Sequence, residues 1–230
     1  MDIIGYSERG AMNALFYGIA LKNDTENMKK FLKIAGIEEE YIKYTVYSEF
    51  SLSDFGDPDM VIIAEKKEGG KEVIFIEAKV SCGKKFDLSK QHESHNKYIE
   101  NEEYESGQSS NLFFQLRQKY YFFQTKGDVE KQKDLNIPPL IKYYNQKKTE
   151  VRRIGKNKVV LDFINCIKHC HTAHYVAIIP KSDFSNDYKT EYGFDIHFVY
   201  WEKMAETFTN YLSKTIDFNQ KDNYNQILNI

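Results

Sequence analysis

The chain has only 4 prolines in 230 residues, a single tryptophan and three cysteines. So little proline argues against a low-complexity or disordered polymer. Three cysteines are an odd number in a chain too large to need staples, so they read as reduced thiols and predict a cytoplasmic protein. No apolar run approaches the roughly 20 residues that cross a bilayer, which predicts no membrane segment. The N-terminus carries Asp2 and Glu8 where a targeting leader would be basic and then apolar. An excess of either charge is also missing: Lys and Arg number 32, Asp and Glu 34, for a formal net charge of -2 and a pI near 6.3. That excludes a histone-like polycation and an acidic tail protein, and confines any nucleic-acid surface to a local patch.

What is present suits a core. Hydrophobic residues make up 41% of the chain, with 17 Tyr and 16 Phe, and the length suits one large domain spanning residues 1–230. Ser7 followed by Ala11, Met12, Leu15, Phe16 and Ile19 predicts a first helix over about residues 7 to 22. Asp24 or Thr25 caps a second through Met28, Phe31, Leu32 and Ala35, ended by Gly36. Strands are predicted at 44–52, 60–64 and 73–76, with the last two forming a hairpin around Gly69-Gly70 that is buried on both faces. Residues 81–110 are polar and read as a long surface loop with room for one short helix. Helices are then expected at 111–124 and 159–167, and strands at 140–144, 175–179 and 194–200. A helix follows through Met204, Phe208 and Leu212, and the polar tail frays from about residue 214. The expected fold class is α/β: a mixed central sheet, the hairpin at its middle, and helices on both faces.

The chemistry concentrates on that hairpin. Its second strand ends Phe75-Ile76-Glu77-Ala78-Lys79, with an acid and an amine two residues apart and therefore on one face. Burying either charge alone costs several kcal/mol, so their place after four apolar residues asks for a reason. The first strand opens Asp57-Pro58-Asp59-Met60. A two-residue turn would put Asp59 opposite Val80 and off the face of Glu77, whereas an odd-length loop or a bulge sets it opposite Lys79. The odd-length loop or bulge is the prediction. Two carboxylates on one face are hard oxygen ligands suited to Mg²⁺ or Mn²⁺, with the Ala78 carbonyl as a third oxygen. Lys79 is then placed to orient or deprotonate an attacking water, so the implied chemistry is phosphodiester hydrolysis. Glu65-Lys66-Lys67 is the same kind of triplet, but it runs into the glycine turn and reads as a solvated strand end.

Pro58-Asp59 followed across a hairpin by Glu77-Ala78-Lys79 resembles the PD-(D/E)XK, or restriction-endonuclease-like, nucleases. The resemblance covers about residues 6 to 120 and implies that Asp59 and Glu77 bind the metal while Lys79 serves the water. It adds Glu8, in Tyr6-Ser7-Glu8-Arg9-Gly10, as an acid contributed by the first helix, and Gln115, in Phe113-Phe114-Gln115-Leu116-Arg117, as a helix glutamine. The Gln-x-x-x-Tyr spacing of an exonuclease branch is absent, since Lys119 stands four residues after Gln115 and Phe122 four after Gln118. The implied activity is a Mg²⁺-dependent endonuclease, with DNA as the favoured substrate, RNA or an inactive nucleic-acid-binding subunit as alternatives, and restriction, repair or defence against phage as the setting. Symmetric cutting of both strands would favour a homodimer, although nothing in the chain marks an interface.

Substrate contact is expected from Lys84 and Lys85 beside the metal, and from the basic stretch Lys142, Lys147, Lys148, Arg152, Arg153, Lys156 and Lys158, where Tyr143 and Tyr144 are placed to stack on bases. Asp57 reads as a turn residue that could share the role of Asp59. Cys166, His169, Cys170, His171 and His174 are the other concentration of ligand types. They lack a second pair at zinc-finger spacing, and Cys166 and Cys170 fit one buried helical face.

Overall fold

The computed structural model describes residues 2–4, 8–20, 25–48, 50–52, 55–80, 86–101, 108–128, 142–144, 147–149, 158–182, 193–208 and 227–229. In chain order the elements are β1 (Asp2–Ile4), α1 (Glu8–Ala20), α2 (Thr25–Ile34), β2 (Tyr41–Ser48), β3 (Met60–Lys66) and β4 (Lys71–Ala78). Then come α3 (Leu88–Asn101), α4 (Leu112–Thr125), β5 (Lys142–Tyr144), β6 (Lys147–Thr149), α5 (Lys158–Ile167), β7 (Cys170–Ile179), β8 (Ile196–Tyr200), α6 (Trp201–Thr207) and β9 (Ile227–Asn229). No helix among the described residues is long and apolar enough to cross a membrane.

The central sheet has five strands in the order β2-β3-β4-β7-β8. β2, β3 and β4 form an antiparallel meander, and β7 and β8 run parallel to β4, so the sheet is mixed and the predicted hairpin lies inside it. Alternation along β3 and β4 feeds two cores. Val61, Ile63, Val73 and Phe75 join α3, α4 and α5 on one face; Met60, Ile62, Ala64, Ile74 and Ile76 join α1, α2 and α6 on the other. Strands covered on both sides read as continuous apolar runs, which is why 60–64 and 73–76 are so legible.

Met60 pairs with Ile76 and Glu65 with Lys71, leaving five residues between the last paired positions. The odd count is as predicted, and it keeps Asp59 and Glu77 on one face. Its centre is Glu68, however, one residue earlier than supposed, so the register runs Asp59 level with Glu77 and not with Lys79. The cause is local: Gly69 and Gly70 both take φ +91, and Lys66 N–H donates to the Gly70 carbonyl, which draws Gly70 into the closing pair.

Three other expectations are corrected. Residues 88–101 are a full helix, α3, and not a loop; Asp87 caps it by accepting from Lys90 N–H, and its buried stripe carries His95 and Tyr98 where aliphatic residues are usual. Cys166 and Cys170 do not share a helix, because α5 ends at Ile167 and β7 begins at Cys170, well before the expected Tyr175; Cys170 Sγ still packs back on the Cys166 carbonyl. In the tail, Ile227–Asn229 pairs with β1.

At the hairpin-turn end of the sheet a polar cluster closes β3, β4 and β7. Glu72 accepts from Tyr41 Oη, lies 3.0 Å from His174 Nε2 and pairs with Lys66 at 2.7 Å. Burial alone would raise its carboxyl, but the hydrogen bonds from Lys66, Tyr41 and His174 outweigh that and hold it at about 2.

Candidate active site

The opposite end of the sheet collects the acids. β4 leaves the core with Glu77 fully buried and Ala78 still inside, and Lys79 N–H donates to the Ile178 carbonyl of β7 at 2.8 Å. The lone tryptophan, Trp201, opens α6 directly after β8 and donates from Nε1 to the Lys79 carbonyl at 2.8 Å. Its indole is fully buried, so the backbone at Lys79 is clamped from β7 on its N–H and from the start of α6 on its carbonyl.

Asp59 sits just before β3 and is 6% exposed. Its Oδ2 accepts from Ala78 N–H at 2.8 Å, which ties the start of β3 to the end of β4. The contact that the structure gives Ala78 at this site is thus through its N–H, whereas the sequence offered its carbonyl as a metal ligand. Glu8 opens α1 and reaches Lys79 Nζ at 3.3 Å. Burial raises the Glu8 carboxyl, the Lys79 ammonium pulls it back, and the charge on Asp59 raises it again. Glu77 is pushed up to about 7 by burial, against the offsetting charge of Lys119, with Asp59 adding to the rise. Glu8, Asp59, Glu77 and Lys79 therefore feel one another although they come from three separate elements.

Lys119 is the residue that sequence reasoning missed. It lies on α4, fully buried, with Nζ 2.9 Å from Glu77 Oε1 and 3.1 Å from the Phe55 carbonyl. Glu77 Oε2 has no hydrogen-bond partner among the described residues. The signal was there, because Lys119 is a cation inside an aromatic helix, between Phe113-Phe114 and Tyr121-Phe122. It was visible only as a break in a spacing rule. Gln115, predicted for the site, is half-buried with Oε1 lacking a partner among the described residues. One turn later, Gln118 and Lys119 hold the places against the acidic loop.

That loop turns at Gly56, where φ is +80 and a Cβ would stand 2.6 Å from Gln118 Oε1 and 2.8 Å from Lys119 Nζ. The left-handed backbone alone costs a side chain about 1–2 kcal/mol, and both overlaps add to it. Gly56→Ala is therefore expected to lower the melting temperature by several degrees, as read by circular dichroism; an unchanged melt would show that the loop repacks freely. Asp57, next in the loop, is exposed, as suits a turn residue.

The donor set suits a hard divalent ion in kind: three carboxylates, two of them buried, one with an orphaned oxygen. The arrangement is not a finished cage, since among the described residues no three Asp, Glu, His or Cys side chains stand together as a metal-holding group. Two ammonium groups, Lys79 and Lys119, balance the three acids instead. Lys84, Lys85, Arg152, Arg153 and Lys156 lie outside the described residues; Lys142, Lys147 and Lys148 fall on the β5–β6 hairpin, and Lys158 is exposed at the start of α5. Comparison with protein-family models, with curated proteins and with solved structures finds no match to this chain.

Proposed function

We propose that this chain is a metal-dependent nuclease with a restriction-endonuclease-like core, acting on DNA as an endonuclease. One observation carries the reading: Asp59, Glu77 and Lys79, named from the hairpin pattern, and Glu8, named from the resemblance, meet at one end of a mixed sheet. Asp59, Glu77 and Glu8 are the side chains that would hold Mg²⁺ or Mn²⁺. When bound, such an ion supplies Lewis-acid polarisation of the phosphodiester and offsets charge on its oxygens. Lys79, held by Glu8 and by the backbone clamp from Trp201, hydrogen-bonds and orients the water whose oxygen attacks phosphorus as the bond to the leaving sugar oxygen breaks. A chain with a net charge of -2 needs a local basic surface for this substrate, and the lysine-rich β5–β6 region supplies one in sequence.

Purified protein with Mg²⁺ or Mn²⁺ should cut linear, circular or single-stranded DNA, and Lys79→Ala should lose at least about a hundredfold in rate. Running RNA in parallel separates the two substrates. Cleavage of neither polymer, or equal cleavage by Lys79→Ala, would sink the proposal.

The full burial of Glu77 and its pairing with Lys119 favour a second reading, that of a binding or assembly subunit with a nuclease-like fold and an internal ion pair. An anomalous signal from Mn²⁺ at the carboxylates of soaked crystals distinguishes the two, because a simple ion pair offers the ion no position.

A further inference from the structure

We propose that Lys119 is an internal competitor for the metal: its ammonium occupies the cation position at Glu77, and a divalent ion enters only as that ammonium withdraws. The inference rests on the reading of Glu8, Asp59 and Glu77 as metal ligands. It deepens that reading, because it gives the site a closed state.

Two independent contacts hold the ammonium in place, Glu77 Oε1 at 2.9 Å and the Phe55 carbonyl at 3.1 Å. Gly56 makes room for it, since any Cβ there would press on Nζ. Both Lys119 and Glu77 are fully buried, where opposite charges attract most strongly and solvent screens least. A cation of higher charge and smaller radius satisfies a carboxylate better than an ammonium does, but it must first displace one that is already anchored. Apparent affinity falls by the fraction of molecules in the open state. If fewer than about one molecule in ten has Lys119 withdrawn, the metal binds at least tenfold more weakly than the carboxylates alone would allow. Lys79 is in a different position. Its carboxylate partner is Glu8, whose side chain is 34% exposed, so its ammonium can shift without vacating a buried acid.

The test is Mn²⁺ binding to the full chain, followed by the loss of the free-ion electron paramagnetic resonance signal. Lys119→Met and Lys119→Gln are each expected to tighten the Mn²⁺ dissociation constant at least tenfold relative to wild type, and Glu77→Gln in either background should abolish the gain. Lys119→Gln keeps a donor for the Phe55 carbonyl and so guards against a packing defect in Lys119→Met. A variant that folds only when Mn²⁺ is present counts as the same result in stronger form, while one that folds in neither condition overturns the proposal. Unchanged or weaker binding also overturns it and makes Lys119 a support for Glu77. Cleavage by wild type without tightening in the variants would leave the nuclease reading standing and sink the competition alone. Tightening without cleavage by any form would do the reverse.

Discussion

Glu77→Ala is expected to lower the free energy of unfolding by about 3–5 kcal/mol, because it strands the Lys119 ammonium in a fully buried position with, among the described residues, only the Phe55 carbonyl as a hydrogen-bond partner. The contrast that identifies the cause is a double variant. Glu77→Leu with Lys119→Met removes both charges and fills the space with apolar atoms, and its stability should return to within about 1 kcal/mol of wild type. Urea unfolding at neutral pH reads both. A double variant as unstable as Glu77→Ala would mean that packing lost at this point, and not an uncompensated charge, sets the cost. The expectation follows from desolvation: taking each ion out of water costs more than the mutual attraction returns, so an intact pair contributes little while a broken one costs a great deal. Such a pair is a weak reason for stability. Its retention in the middle of an aromatic core is what suggests a role for the acid.

His95 should take stability away on mild acidification, between pH 6.5 and about 4.5, a window in which Glu77, whose native carboxyl is pushed up to about 7, contributes with the opposite sign. His95 of α3 is fully buried against Tyr98, Phe113 and Phe114. Burial, with the nearby charges of Arg117 and His92 adding to it, lowers its imidazole to about 3. The unfolded chain takes up a proton at this residue from about pH 6.5 downward while the native state does not, so the equilibrium shifts toward unfolding as pH falls. The full difference is available above pH 6.5 and is lost progressively towards pH 3. Over the two pH units to 4.5 the loss from this one group is about 2–3 kcal/mol. Glu72 has the opposite construction. Its native carboxyl is held at about 2, so its stabilisation is intact above about pH 4.5 and disappears only below it. The two windows separate the groups. His95→Phe, which keeps a flat ring among aromatic neighbours, should raise the urea midpoint at pH 4.5 relative to that at pH 6.5 when compared with wild type, leaving the opposite contribution of Glu77 in place. A slope unchanged by the substitution would show that another group titrates there.

Legibility followed the number of independent constraints on each residue. The hairpin was plain because two apolar runs flanking a glycine pair satisfy periodicity, turn chemistry and burial at once. Its parity was also within reach, since only an odd loop keeps Asp59 and Glu77 on one face. The last step of register was not, because Gly69 and Gly70 fit several turns and only the closing hydrogen bond at Gly70 selects one. α3 was missed for a different reason: its core side carries His95 and Tyr98, which read as polar or ambiguous in a run rich in Glu, Lys and Asn. Gln115 was chosen over its neighbours from the family resemblance, yet the helix turns Gln118 and Lys119 toward the loop at Gly56.

Glu8 was added by the resemblance to the restriction-endonuclease-like nucleases, whereas residue order alone carried the α/β class, the central buried hairpin and the groups Asp59, Glu77 and Lys79. Each of these leaves a local mark: alternation, an acid at a strand end, a proline-aspartate turn. The partners of those groups were decided by tertiary structure. Lys119 reaches Glu77 across 42 positions of chain, and Trp201 clamps Lys79 across 122. Contacts between elements so far apart depend on how a helix is rotated and a strand is registered. Those are settled by packing the whole core, and no short stretch of sequence records them.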